Sequence, residues 1–123
     1  MKGRGDRPAR VAERIREELS LLLLRKAKDP GLSSVTVTEV SVTADLRIAH
    51  VNYSALVAPG ERPAVAQALR RSSGFLRREL GHLLDLRYAP DLQFHYDDSY
   101  DRGARIDAIL RGLPERKEGP DEG

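Results

Sequence analysis

The stretch that most limits how this chain can fold is residues 68 to 84, Ala-Leu-Arg-Arg-Ser-Ser-Gly-Phe-Leu-Arg-Arg-Glu-Leu-Gly-His-Leu-Leu. At about 100° per residue, Leu69, Leu76, Leu80 and Leu83 fall in one apolar stripe, Arg71 and Arg78 point roughly the opposite way, and Arg70 and Arg77 flank it. One face of such a helix needs a core, and the other suits anions. Ser72-Ser73-Gly74 interrupts the pattern. Glycine costs up to about 1 kcal/mol relative to alanine inside a helix, and the serine hydroxyls compete for backbone partners. This predicts a kink or a helix-turn-helix at Gly74. A second helical half beginning there would open with exposed N–H groups beside small side chains, where a phosphate of an RNA backbone could approach closely. A flexible joint among solvated arginines is the other reading of the same residues.

The charge of the chain sharpens this choice. The net charge is only +2, yet residues 1–28 carry nine Lys/Arg against four Asp/Glu and residues 62–88 carry six against two, net +5 and +4. The remaining segments are acidic. Two basic helices on an otherwise acidic chain predict a bipolar surface whose positive side docks on a polyanion. Arginine outnumbers lysine 17 to 4, and its planar fork suits phosphate, although codon bias produces the same ratio.

A length of 123 residues fits one domain with one core. There is no cysteine, which excludes disulfides and thiolate chemistry and leaves burial to hold the fold. No apolar run approaches the roughly 18 residues of a membrane span, and no signal-peptide pattern opens the chain, so a cytoplasmic location is expected.

Along the chain, residues 1–5 read as a flexible basic arm. Asp6 is placed to cap a first helix reaching about Lys28, with Val11, Ile15, Leu19 and Leu22 inward and Arg7, Arg10, Arg14 and Arg25 along one flank. Leu21 and Leu24 lie off that stripe and need a second neighbour or stay exposed. Asp29-Pro30-Gly31 stops the helix. Val35 and Val37 are out of phase with Val40 and Val42, which predicts a β-bulge near Glu39 or a strand buried on both faces. Thr43-Ala44-Asp45 reads as a tight turn and Leu46 to Ala55 as the return strand. The second helix starts at Pro63 and closes by Arg87-Tyr88-Ala89-Pro90; Leu92, Phe94 and Tyr96 alternate as a third strand. Ser99 can cap a last helix with Ile106, Ile109, Leu110 and Leu113 on one face, before an acidic, disordered tail over 114–123.

Catalytic patterns are lacking. Three scattered histidines and no phosphate-binding glycine loop leave only His95-Tyr96-Asp97-Asp98 with Asp101 as a candidate for a nuclease-like metal centre. Strand-end aspartates more often make turns and caps, so neither catalytic residue, metal, cofactor nor small-molecule substrate is expected. Dimerisation through Leu21, Leu24 and a sheet edge is a competing use of the surface; a monomer is expected.

The predicted order of helix, strand, strand, interrupted helix pair and strand, with a C-terminal helix to follow, gives an α+β domain over residues 6–113. Its helices cover one face of a three-stranded mixed sheet, with the third strand parallel to one of the first two. That order, α-β-β-α-kink-α-β, is the type II KH-like arrangement, a nucleic-acid module. Arg10-Val11, Asp29-Pro30, Val40, Asp45-Leu46, Ser73-Gly74-Phe75-Leu76-Arg77, Leu86-Arg87, Pro90, Leu92, Phe94, Tyr96-Asp97, Ser99, Gly103 and Arg105-Ile106 follow one another in a specific order and spacing. On these residues the chain, from residue 7 to about 113, resembles the bacterial ribosome-binding factor A family. The resemblance implies an Ala-x-Gly kink in place of the GxxG loop of KH domains, with Ser72 here at the alanine position. It implies a non-enzymatic factor that binds the immature small (30S) ribosomal subunit and its 16S rRNA in late maturation, with links to rRNA processing and cold adaptation. The expected RNA contacts are Arg7, Arg10, Arg14, Arg70, Arg71, Ser72, Ser73, Gly74, Arg77, Arg78 and Arg87. A general single-stranded nucleic-acid-binding KH-like protein is the alternative.

Overall fold

Strand β2 (Ile48–Ala55) alternates half-buried and buried residues along its whole length, with Ala49, Val51, Tyr53 and Ala55 turned inward. In the computed structural model, which describes residues 6–25, 29–99 and 110, β2 is the middle of a three-stranded sheet, between β1 (Val35–Val42) and β3 (Asp91–Tyr96). β1 and β2 form an antiparallel hairpin. The phase slip among the valines is resolved by a bulge: Val37 pairs with Tyr53 and Glu39 with Asn52, so Thr38 is the extra residue, and Val37, Val40 and Val42 all face the core. The Thr38 hydroxyl donates to Asp97 Oδ2 at 2.7 Å, which ties the bulge to the end of β3. At the other end of the hairpin, Leu46 N–H donates to the Thr43 carbonyl at 2.8 Å, and Asp45 Oδ1 accepts from the Thr43 hydroxyl and the Arg47 N–H. Leu46 itself is left-handed at φ 62°. It belongs to the turn, and the return strand starts at Ile48, two residues later than expected.

β3 runs parallel to β2, in register from Ile48↔Asp91 to Tyr53↔Tyr96. The crossover is helix α2 (Arg62–Leu84), preceded by a 3₁₀ turn over Pro59–Glu61. Helix α1 (Asp6–Arg25) packs beside α2 and over β1. Ile15, Leu19, Leu69, Leu76 and Leu80 are fully buried and join Val51 and Leu32 in one core under the sheet. Both helices lie on that one face, the α+β, KH-like arrangement expected. Leu21 and Leu24 are exposed, as their angular position requires.

Two local expectations are corrected. No helix-turn-helix forms at Ser72-Ser73-Gly74: α2 is a single helix of 23 residues. The cost of one glycine, at most about 1 kcal/mol, is outweighed by burying Leu69 before it and Leu76 after it, each worth about 1.5–3 kcal/mol. Leu83 is 46% exposed while Leu84 packs on the core, because the inward row over the last turns runs Leu76, Leu80, Leu84. The Ser99 N–H donates to Asp97 Oδ1 at 2.9 Å, and the helix that Ser99 is expected to cap lies outside the described residues. The expected basic arm, the acidic tail, and Ile106, Ile109 and Leu113 lie outside the described residues.

Candidate nucleic-acid interface

With α2 continuous, its solvent face can be read off helical geometry. Positions three and four away from Gly74 are Arg71, Arg77, Arg70 and Arg78, so all four neighbours of the glycine on that face are arginines. All four are exposed, and so is Gly74. A Cβ built at Gly74 would meet no atom within 4 Å, and its backbone is helical. Neither packing nor backbone angles within this chain call for glycine there. What glycine supplies is bare backbone between four arginine positions of the helix surface, with the half-buried Ser72 and Ser73 just before it.

The four arginines differ in what already holds them. Arg71 donates through Nε and Nη2 to Asp29 Oδ2, at 3.1 and 2.7 Å. Asp29 Oδ1 meanwhile accepts the Gly31 N–H at 3.1 Å and caps the 3₁₀ turn Pro30–Leu32. The Gly31 N–H and, next, the Arg71 guanidinium hold the Asp29 carboxyl below the usual aspartate range. Glycine at position 31 avoids a tight contact: a Cβ there would lie 3.1 Å from the Ala68 Cβ, one turn before Arg71. Arg77 donates through Nε to the Pro90 carbonyl at 3.1 Å and through Nη2 to the Ala89 carbonyl at 3.0 Å, fastening α2 to the segment that leads into β3. No such pinning of Arg70 and Arg78 is seen among the described contacts.

Arg7, Arg10 and Arg14 are exposed on the first half of α1. Arg14 faces Glu18 at 3.7 Å, a long and solvent-screened pair. The first half of α1 meets the last turn of α2: Arg10, Val11, Arg14, Leu84 and Leu86 line one groove of about 340 Å³. Arg87 follows, exposed, its guanidinium 5.6 Å from the Tyr88 ring centre. Six of the arginines expected to contact RNA thus sit on the exposed faces of α1 and α2 beside Arg71, which is held by Asp29, and Arg87 lies in the loop after α2. Two contacts escape a reading of the sequence, Asp29 with Arg71 and Arg77 with the Ala89 and Pro90 carbonyls, because 42, 12 and 13 residues separate the partners.

Of the residues that the sequence offers for a metal centre, Asp101 lies outside the described residues, and His95 and Asp97 have other partners. His95 Nε2 lies 3.1 Å from His50 Nδ1 on the open face of the sheet, and Asp97 holds Thr38 and Ser99. Among the described residues no group of three His, Asp or Glu converges on one point, and no helix is long and apolar enough to cross a membrane.

Comparison with known proteins agrees with this architecture. The family model of ribosome-binding factor A matches residues 7–110. Ribosome-binding factor A of Syntrophobacter fumaroxidans is 45% identical over 109 residues, covering 87% of this chain and 93% of the relative. The crystal structure of ribosome-binding factor A from Thermus thermophilus shares the fold, with a TM-score of 0.63 at 22% identity over 72% of this chain and 94% of that one. A homology model of the Thermus thermophilus factor, fitted into the cryo-EM map of a 30S–RbfA complex, superposes with a TM-score of 0.52 at 23% identity, covering 69% of this chain and 93% of that one. A family match over residues 7–110, joined to a relative 45% identical over 87% of the chain, places this chain in the ribosome-binding factor A family.

Proposed function

We propose that this chain binds the small ribosomal subunit through its ribosomal RNA and assists late maturation and rRNA processing as a cytoplasmic monomer, catalysing no reaction itself. The reading rests on membership of a family named for ribosome binding and on the Thermus relative described in a complex with 30S. The observation in this chain that carries it is Gly74 among Arg70, Arg71, Arg77 and Arg78 on an open helix face. A phosphate drawn to this face by Arg70 and Arg78, with Arg71 and Arg77 held beside them, meets no Cβ beneath it, and bidentate arginine forks match its oxygens. The interface comprises these residues with Ser72, Ser73, Arg7, Arg10, Arg14 and Arg87. Because Arg71 and Arg77 also hold the fold, Arg70 and Arg78 are the pair whose loss reports on RNA alone. Phosphate contacts set position rather than sequence preference, so binding should fall steeply with salt and single Arg→Ala changes should lower the salt slope by about 1 each.

Co-sedimentation of the purified protein with immature small subunits, mature small subunits and large subunits, at low and moderate salt, tests the reading. Selective binding to the small subunit, tighter for the immature form, is the expected result. Equal binding to all three particles, vanishing together as salt rises, would reduce the chain to a general RNA-adhesive domain.

A further inference from the structure

The groove between the two helices has its own chemistry. Leu84 lies ten residues beyond Gly74, about 15 Å along the helix, so the groove is separate from the arginine quartet. Arg10, Val11 and Arg14 of α1 make its near wall, with the two arginines one helical turn apart, and Leu84 and Leu86 at the end of α2 make the far wall; Val11 and Leu84 pack on the core. At about 340 Å³ it sits near the lower end of the roughly 300–1,000 Å³ range of ligand sites, with room for one planar ring and its sugar but not for a stack. Two residues beyond Leu86, Tyr88 is 77% exposed, the one exposed Phe or Tyr among the described residues.

We propose that this groove takes a single unpaired nucleotide of RNA, its base against Val11, Leu84 and Leu86 and its phosphate held by Arg10 and Arg14. The charge on the near wall selects the occupant: an apolar protein side chain would gain nothing from two guanidinium groups, whereas a nucleotide presents an apolar ring face and an anionic phosphate a few ångströms apart. Arginine planes also stack on bases, which supplies the work done by aromatic platforms elsewhere. With no side-chain amide or carboxylate among the described residues that line it, the groove reads the presence of an unpaired base and not which base it is. A duplex keeps its ring faces stacked internally, so the preference is for bulges, loops and ends. This inference rests on the RNA-binding reading above and adds a second kind of contact to it.

The test compares binding of the full chain to two RNA hairpins of identical stem, about twelve base pairs long, one carrying a single bulged 2-aminopurine. The wild type should bind the bulged hairpin about tenfold more tightly and change the 2-aminopurine fluorescence. Val11→Phe fills the groove without altering charge and should abolish both effects while duplex affinity persists. Leu86→Phe, on the opposite wall, repeats the test should Val11→Phe not fold. Equal wild-type affinities for the two hairpins would overturn the nucleotide site and leave the arginine face standing. Binding to neither hairpin at low salt would overturn the RNA reading and the groove with it. A bulge preference that survives both substitutions would place the base elsewhere. Loss of small-subunit binding in the filled variants, without any hairpin preference in the wild type, would assign the groove to a protein segment instead.

Discussion

Gly74 is where stability and binding pull apart most cleanly. No neighbour within the chain needs it to be glycine, so Gly74→Ala should stabilise the fold by up to about 1 kcal/mol, or roughly 4–8 °C in Tm, through helix propensity alone. The same methyl group would stand between a phosphate and the backbone, so affinity for small-subunit RNA should drop several-fold; thermal melts and a filter-binding titration on one preparation check both. The arginines around it separate in the opposite sense. Arg77→Ala removes two charge-assisted bonds to the Ala89 and Pro90 carbonyls and should cost about 1–2 kcal/mol in urea denaturation, whereas Arg70→Ala should leave the denaturation midpoint within about 0.5 kcal/mol and weaken RNA binding. The alternation of leucine and arginine made the basic face legible in the sequence. Which arginines are also fasteners was not, since their partners come together only when α2, the 3₁₀ turn and β3 are assembled.

Among the elements, α2 shows how burial overrides local preference. Ser72-Ser73-Gly74 is a poor helical triplet, and read alone it marks a break; Leu69, Leu76 and Leu80 on the buried side carry the helix through it. The helix stops instead at Asp85, which adopts the left-handed conformation at φ 54°, ψ 43°. Leu86 N–H then reaches back to the Gly81 carbonyl at 3.2 Å and Asp85 N–H to the His82 carbonyl at 3.4 Å, a Schellman closure with aspartate where glycine is usual. Asp85→Gly should therefore raise stability by about 0.5–1 kcal/mol with helix content unchanged by circular dichroism, and a loss of stability would mean that the carboxylate has a partner worth more than the backbone relief. The bulge in β1 was legible because a slip in valine parity admits few explanations. The partner of β3 was not, since a helical crossover specifies a parallel neighbour without saying which strand it is.

For the molecule as a whole, titration brackets the pH range of full stability. The Gly31 N–H and then Arg71 depress the Asp29 carboxyl, and the Thr43 hydroxyl and then the Arg47 N–H depress that of Asp45. Carboxyls with folded pKa values below the unfolded ones stabilise fully above about pH 4, and that contribution is lost as pH falls through the folded values. Tyr53 has the opposite sign at the other end: burial first, and Tyr96 second, push its phenol up against a smaller pull from Arg70, so the folded state keeps the proton, and stability declines as pH rises past about 10. Urea midpoints across pH should fall at both ends, with a shallower acid limb in Asp29→Asn and a shallower alkaline limb in Tyr53→Phe. The strand order bears on how the molecule is made. The β1–β2 hairpin joins residues 7 to 20 apart, whereas every β2–β3 pair joins residues 43 apart, so the hairpin closes cheaply and early and β3 docks late. Arg77 has its anchor at Ala89 and Pro90, immediately before β3. On a chain synthesised from its N-terminus, the arginine face is thus fastened only when nearly all of the domain has emerged, and a half-made copy has no finished surface with which to seize the RNA of the particle building it.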